Sequence, residues 1–237
     1  MNDHPPTRQE ILAGSTLAID KPLDWTSFDV VNKIKAKCKF ALQAPKLKIG
    51  HAGTLDPKAT GLLVVCTGIF TKKIDEIQAQ QKEYTGIIVV GATRPSFDME
   101  TEIEAVFPTE HINEAKIEQA RQQFLGEIEQ VPPMFSAIKV DGQRAYDLAR
   151  RGETVAIPTR KVTIYELELD GSDLPNIWFR AVTSKGTYIR ALANDLGVAL
   201  GSGAYLGSLR RTKIGHFDAA KAWQIDDLMA YLDTLRE

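Results

Sequence analysis

A single acid, Asp56, lies within Lys48 to Gly68, which reads KIGHAGTLDPKATGLLVVCTG. Gly50, Gly53 and Gly61 let the backbone turn there and approach a ligand, while Pro57 biases Asp56 toward an extended conformation that fixes its carboxylate. Asp56 is then either the acid of a built site or a residue closing a turn through its own side chain. His51 stands five residues before it in the same loop. A second group follows far along the chain, in Ser184-Lys185-Gly186-Thr187-Tyr188-Ile189-Arg190. An arginine placed against Asp56 would satisfy its charge and orient it bidentately; as a bland alternative, Arg190 is a surface cation at a helix start. Tyr188 and Arg190 share a face only if the segment is extended. Tyr84 offers a flat face for stacking on a base or fills a strand position in the core.

The elements that must position these groups follow from periodicity and punctuation. The run GLLVVCTG fits a buried strand that would hold the Asp56 loop rigid. A short strand at Leu17 to Ile19 precedes a helix capped by Thr26 or Ser27, running to about Lys39 with Val30, Val31, Ile34 and Cys38 inward. Thr71 to Gln80 reads as a short helix and Tyr84 to Val90 as a strand. Thr109 begins another helix with Ile112, Ile117, Ala120 and Phe124 inward. Ile138 to Val140 leads through Asp141-Gly142 into a short helix around Tyr146, and Val162 to Leu169 pairs with Ile177 to Val182. Ile189 to Leu200 is a helical stripe, Leu206 to Ile214 a strand, and 225–235 a closing amphipathic helix. Many strands broken by a few helices, without regular alternation, predict an α+β fold around a mixed, largely antiparallel central sheet. Residues 1–14 are expected to form a flexible arm and 15–237 one domain.

Composition narrows the classes. With 43% apolar and 25% charged residues the chain is ordinary for a globular protein, and its start resembles neither a secretory signal nor a membrane span. Cys38 and Cys66 have no metal-type spacing, and a reducing cytoplasm is the expected home. Phosphate-loop, metalloprotease and nucleophile-elbow motifs are absent from the sequence, and the four histidines suggest no metal cluster. The net charge of −2 conceals segregation. Between Val30 and Leu55 lie six lysines and no acid, whereas Ser96 to Glu129 holds nine acids against Lys116 and Arg121. Arg180 to Lys213 and the cluster Arg144, Arg150, Arg151, Arg160 and Lys161 are also basic. If these segments meet on one face they make a polyanion-binding surface; taken singly they are solvated helix faces.

Gly50-His51-Ala52-Gly53-Thr54-Leu55-Asp56-Pro57 with Ala59-Thr60-Gly61 resembles the signature loop of the bacterial tRNA pseudouridine synthase B family. Further matches occur in order: Asp20-Lys21-Pro22 with Ser27, Lys82-Glu83-Tyr84, Val131 to Ala137, Gly186 to Arg190, and Leu209-Arg210-Arg211. The resemblance implies a fold of the pseudouridine synthase type and isomerisation of a uridine in the TΨC loop of tRNA, with no cofactor or metal, no membrane and no protein partner. It implies Asp56 as the catalytic aspartate, Arg190 as its ion-pair partner and Tyr84 as the ring stacking on the target base. Tyr188 and Leu209 would line the pocket, His51 would meet displaced loop nucleotides, and Lys21 falls on the substrate-binding side. The target base must flip out, which costs a few kcal/mol of unstacking. Residues 131–160 correspond to an RNA-gripping insert. Only about twenty residues, a stretch acidic on balance, follow Phe217, where many members carry a PUA domain, so that domain is expected to be missing. Residues 91–100 match only loosely and give Asp98 no role. An RNA-binding or RNA-folding module, and a synthase acting on another RNA, remain the alternatives.

Overall fold

The computed structural model describes residues 5–136, 138–140, 142–151, 153 and 155–236. In chain order the elements begin with α1 (Arg8–Ala13), β1 (Thr16–Lys21), α2 (Ser27–Ala41), β2 (Ile49–His51), β3 (Ala59–Thr67) and α3 (Ile74–Ala79). There follow β4 (Lys82–Val90), β5 (Ala92–Thr93), β6 (Ala105–Val106), α4 (Glu114–Gln123), β7 (Gly126–Gln130), β8 (Lys139–Val140), β9 (Gln143–Arg144) and α5 (Ala145–Arg150). The chain closes with β10 (Arg160–Asp173), β11 (Asn176–Thr183), α6 (Ile189–Ala199), β12 (Ala204–Ile214), β13 (Phe217–Asp218), β14 (Trp223–Gln224) and α7 (Ile225–Thr234). The fold is α+β, and its strands pair mostly antiparallel.

The described residues fall into two compact units, the first within 5–83 and 210–236 and the second within 84–209. Both boundaries fall inside strands, β4 and β12. In the first unit β1 pairs antiparallel with β3, from Thr16 opposite Cys66 to Lys21 opposite Gly61, and parallel with β14. Helices α2 and α7 pack Val30, Val31, Ile34, Leu228 and Leu232 with Leu63 and Val65 of β3. Nearly every residue of β3 is buried, as expected for an apolar run covered on both faces. In the second unit β10 pairs antiparallel with both β11 and β7, and α6 lays Ile189, Leu192, Ala193 and Leu196 on their apolar face.

Three expectations change. Residues Arg8–Ala13 of the supposed arm are helical, because Thr7 and Glu10 form a reciprocal capping box and Ile11 enters the core. Helix α4 begins at Glu114 and not near Thr109, because the Asn113 side chain accepts the Lys116 N–H and so takes the cap. Gly68–Lys73 is a tight 3₁₀ turn ahead of α3. The strand and short helix expected from Ile138 onward are present as β8 and α5, with β9, not expected, paired to β8, and with Asp141 outside the described residues.

Candidate active site

The Asp56 loop joins β2 to β3, whose register sets Ile49 opposite Thr67 and His51 opposite Val65. The loop is fastened at both ends. Ser27, the first residue of α2, accepts the Leu55 N–H at 2.8 Å and donates to the Leu55 carbonyl at 3.1 Å. The Ala59 N–H reaches the Asp56 carbonyl at 3.0 Å and closes the turn through Pro57.

Arg211 performs the larger task. Its side chain, with the residue only 2% exposed, donates from Nε to the Leu62 carbonyl at 2.8 Å, from Nη1 to Thr54 at 3.3 Å and from Nη2 to Gly53 at 3.0 Å. One guanidinium thus spans the strand that follows Asp56 and the backbone that precedes it. A fork of fixed donors suits this far better than a lysine would. Gly61 makes the approach possible: at φ 98°, a Cβ there would stand 2.4 Å from the Arg211 carbonyl oxygen. Adjacent strand residues point to opposite faces, so Arg210 turns the other way and grips Asp20 bidentately at 2.9 and 2.8 Å. Burial opposes charge on Asp20, but the hydrogen bonds from Arg210 and Gln224 outweigh it and hold the carboxyl below its usual range.

Lys21 is 0% exposed at the end of β1, its ammonium donating to the carbonyls of Pro22 at 2.8 Å and Trp25 at 2.6 Å. Burial pulls it down to about 8, against the attraction of the Asp56 and Asp24 charges and with the Arg211 charge adding to the depression. Lys21 is therefore a buried cation within the field of the acid. His51 is half-buried and its imidazole is pushed below the ordinary value, first by burial and then by the charge of Arg211, with a backbone hydrogen bond at Gly53 acting the other way. Lysine, histidine, arginine and the acid accordingly form one electrostatic group in the first unit.

The second unit holds Tyr84, Tyr188, Arg190 and Leu209. Tyr188 is the extended N-cap of α6, at φ −95° and ψ 108°, and Arg190 already belongs to the first helical turn. The shared face of an extended segment is thus not realised. Gln130 clamps the Tyr188 backbone, accepting its N–H at 2.7 Å and donating to its carbonyl at 3.0 Å, and Arg160 lies 5.2 Å from the Tyr188 ring centre. Tyr84 packs in the core with Ile88 and Phe179, while Leu209 is partly buried against the same cluster.

Arg190, 4% exposed, donates to the Ser96 carbonyl at 3.2 Å and the Phe135 carbonyl at 2.9 Å, and its Nε lies 3.6 Å from an Asp98 oxygen. It is therefore no surface cation. Asp98, which received no role from the sequence, is the acid beside this guanidinium. The Ser96 hydroxyl bonds Thr101, and Phe97 takes a left-handed φ of 61°, a conformation a bulky residue adopts only under constraint. Phe135 lies within residues 131–160, so that segment and the Asp98 turn both bear on the Arg190 guanidinium.

Folding undoes part of the charge segregation. Lys33 and Lys37 pair with Asp226 and Asp233 of α7, Arg180 with Glu166 and Glu168, Lys161 with Glu127, and Lys213 with Glu83. Surface pairs of this kind are worth under about 1 kcal/mol each, though Glu83 is itself buried, and all of them remove cations from any polyanion surface. Both cysteine thiols are buried and raised to about 11, which leaves them inert. Among the described residues no group of three or more His, Cys, Asp or Glu side chains is placed to hold a metal, and no helix is long and apolar enough to cross a membrane.

Comparison with known proteins matches residues 37–189 to the family described as "TruB family pseudouridylate synthase (N terminal domain)" and residues 190–237 to "tRNA pseudouridylate synthase B C-terminal domain". A protein of Flavobacterium johnsoniae named tRNA pseudouridine synthase B is 59% identical over 220 residues, covering 92% of this chain and 96% of that one. Its namesake in Parabacteroides distasonis is 56% identical over 206 residues, covering 87% and 88%. Among solved structures, a chain in "Crystal Structure of a Cbf5-Nop10-Gar1 Complex" superimposes with a TM-score of 0.71 at 28% identity over 98% of this chain, which spans 60% of that one.

Proposed function

The chain belongs to the TruB family of pseudouridylate synthases, an isomerase family, and from that premise we propose that it converts the TΨC-loop uridine of tRNA to pseudouridine. The observation that carries this reading is the clasped Asp56 loop: Arg211 and Ser27 hold its backbone, leaving the carboxylate as the only acid between Val30 and Leu62. Relatives named for tRNA at above 50% identity support tRNA as the substrate.

In this reaction the bond from ribose to N1 of uracil breaks and one from ribose to C5 forms, while the C5 proton leaves to solvent and N1 gains one. We assign the acid to Asp56, the guanidinium to Arg190 and the stacking ring to Tyr84. Tyr188 and Leu209 line the base pocket, His51 meets displaced nucleotides, and Lys21 tunes the charge around the acid. The target base flips out of the folded loop, a cost of a few kcal/mol that aromatic stacking of about 1–3 kcal/mol per base offsets. Residues 131–160 grip the RNA. Pseudouridine mapping of tRNA from cells lacking this protein is expected to show loss in the TΨC loop; an intact TΨC loop with losses in another RNA would refute the substrate.

A further inference from the structure

Helix α2 carries three separate stripes. Val30, Val31, Ile34, Cys38 and Ala41 are buried, and Lys33 and Lys37 face the carboxylates of Asp226 and Asp233. The third stripe, Phe28, Asn32, Lys35 and Lys39, falls at i, i+4, i+7 and i+11 and so lies along one line of the helix, about 16 Å long at 1.5 Å per residue. All four residues are exposed, Phe28 to 63%. Among the described residues neither Lys35 nor Lys39 has a carboxylate partner. The acids nearest the start of the stripe are already engaged: Asp29 caps the helix through Thr26, and Asp24 pairs with Lys58. Ser27, beside Phe28, is bonded to Leu55, so the stripe begins next to the loop that carries Asp56.

We propose that this outward face of α2 is a track for the sugar-phosphate backbone of the substrate RNA, with Lys35 and Lys39 on phosphates, Asn32 bonding to the backbone on the Phe28 side of Lys35, and Phe28 stacking on an unpaired base at the end nearest Asp56. The inference rests on the proposed tRNA substrate. Charge complementarity commits it to an RNA occupant: two unneutralised lysines one helical turn apart, with an asparagine and an exposed aromatic in line, combine the cation and stacking elements that single-stranded nucleic acid uses. A solvated face would need the lysines but not the phenylalanine.

The test measures tRNA binding by the full chain between about 50 and 300 mM salt. Lys35→Gln with Lys39→Gln is expected to weaken binding about tenfold near physiological salt and to flatten the slope of log affinity against log salt by roughly 1.4–1.8, at about 0.7–0.9 per phosphate contact. Lys33→Gln with Lys37→Gln changes net charge equally, and is expected to leave the slope unchanged because those lysines serve α7. Phe28→Ala is expected to weaken binding about fivefold or more at an unchanged slope. Equal slopes for the two lysine pairs, or no change from either, would overturn the track. Wild-type protein that binds tRNA yet forms no pseudouridine in it would instead refute the proposed reaction, whatever the slopes.

Discussion

Asp56→Asn is expected to lower pseudouridine formation on a T-arm stem-loop by roughly 10⁴-fold or more, equivalent to over about 5 kcal/mol of transition-state stabilisation, while RNA binding survives. The amide matches the carboxylate in shape but can neither attack as a nucleophile nor accept a proton as a base. The clasp engages the loop backbone, which the substitution leaves unchanged: Arg211 takes the carbonyls of Gly53, Thr54 and Leu62, and Ser27 takes the amide and carbonyl of Leu55. Removing a negative charge beside bound phosphates should hold or slightly tighten affinity. Single-turnover rates and dissociation constants on the same stem-loop check both halves. Near-normal turnover by the asparagine variant would remove Asp56 from the chemistry.

Arg211→Met is expected to cost about 3–5 kcal/mol of folding stability and to lower turnover together with it. The methionine fills similar apolar volume but leaves three carbonyls without their charged donor, the Leu62 carbonyl fully buried and those of Gly53 and Thr54 partly so, and an unmade bond to a buried polar group costs more than the made bond contributes. Unfolding is expected at a lower denaturant midpoint, with activity per folded molecule also reduced because Asp56 is no longer held. Arg211→Lys is expected to rescue only part of either loss, since a point donor cannot replace the fork across Gly53, Thr54 and Leu62. A midpoint within experimental scatter of the wild type would show that the loop holds itself.

Much of this frame was legible from local signals. The apolar run after Asp56 became β3, the Thr26 cap began α2 one residue later, and Ile225–Thr234 closed the chain as a helix. Those elements follow from periodicity and caps, which act over a few residues. What stayed hidden depends on distance along the chain. Arg211 bonds carbonyls 149, 157 and 158 residues away, and no spacing in the sequence announces such partners. Lys33 meets Asp226 from 193 residues away, so counting charges segment by segment overstates the free cations. Asp98 escaped for another reason: its position comes from the left-handed Phe97 and the Ser96–Thr101 bond, not from a regular element. One usable signal was the adjacent Arg210-Arg211 within a strand, where alternation requires one side chain to turn inward.

The most direct test supplies purified protein with a tRNA transcript carrying tritium at C5 of every uridine, and counts tritium released to water. One equivalent released per tRNA, and none when the TΨC-loop uridine is replaced by cytidine, is the predicted result. No release from the intact transcript, or the same release after the replacement, would contradict it.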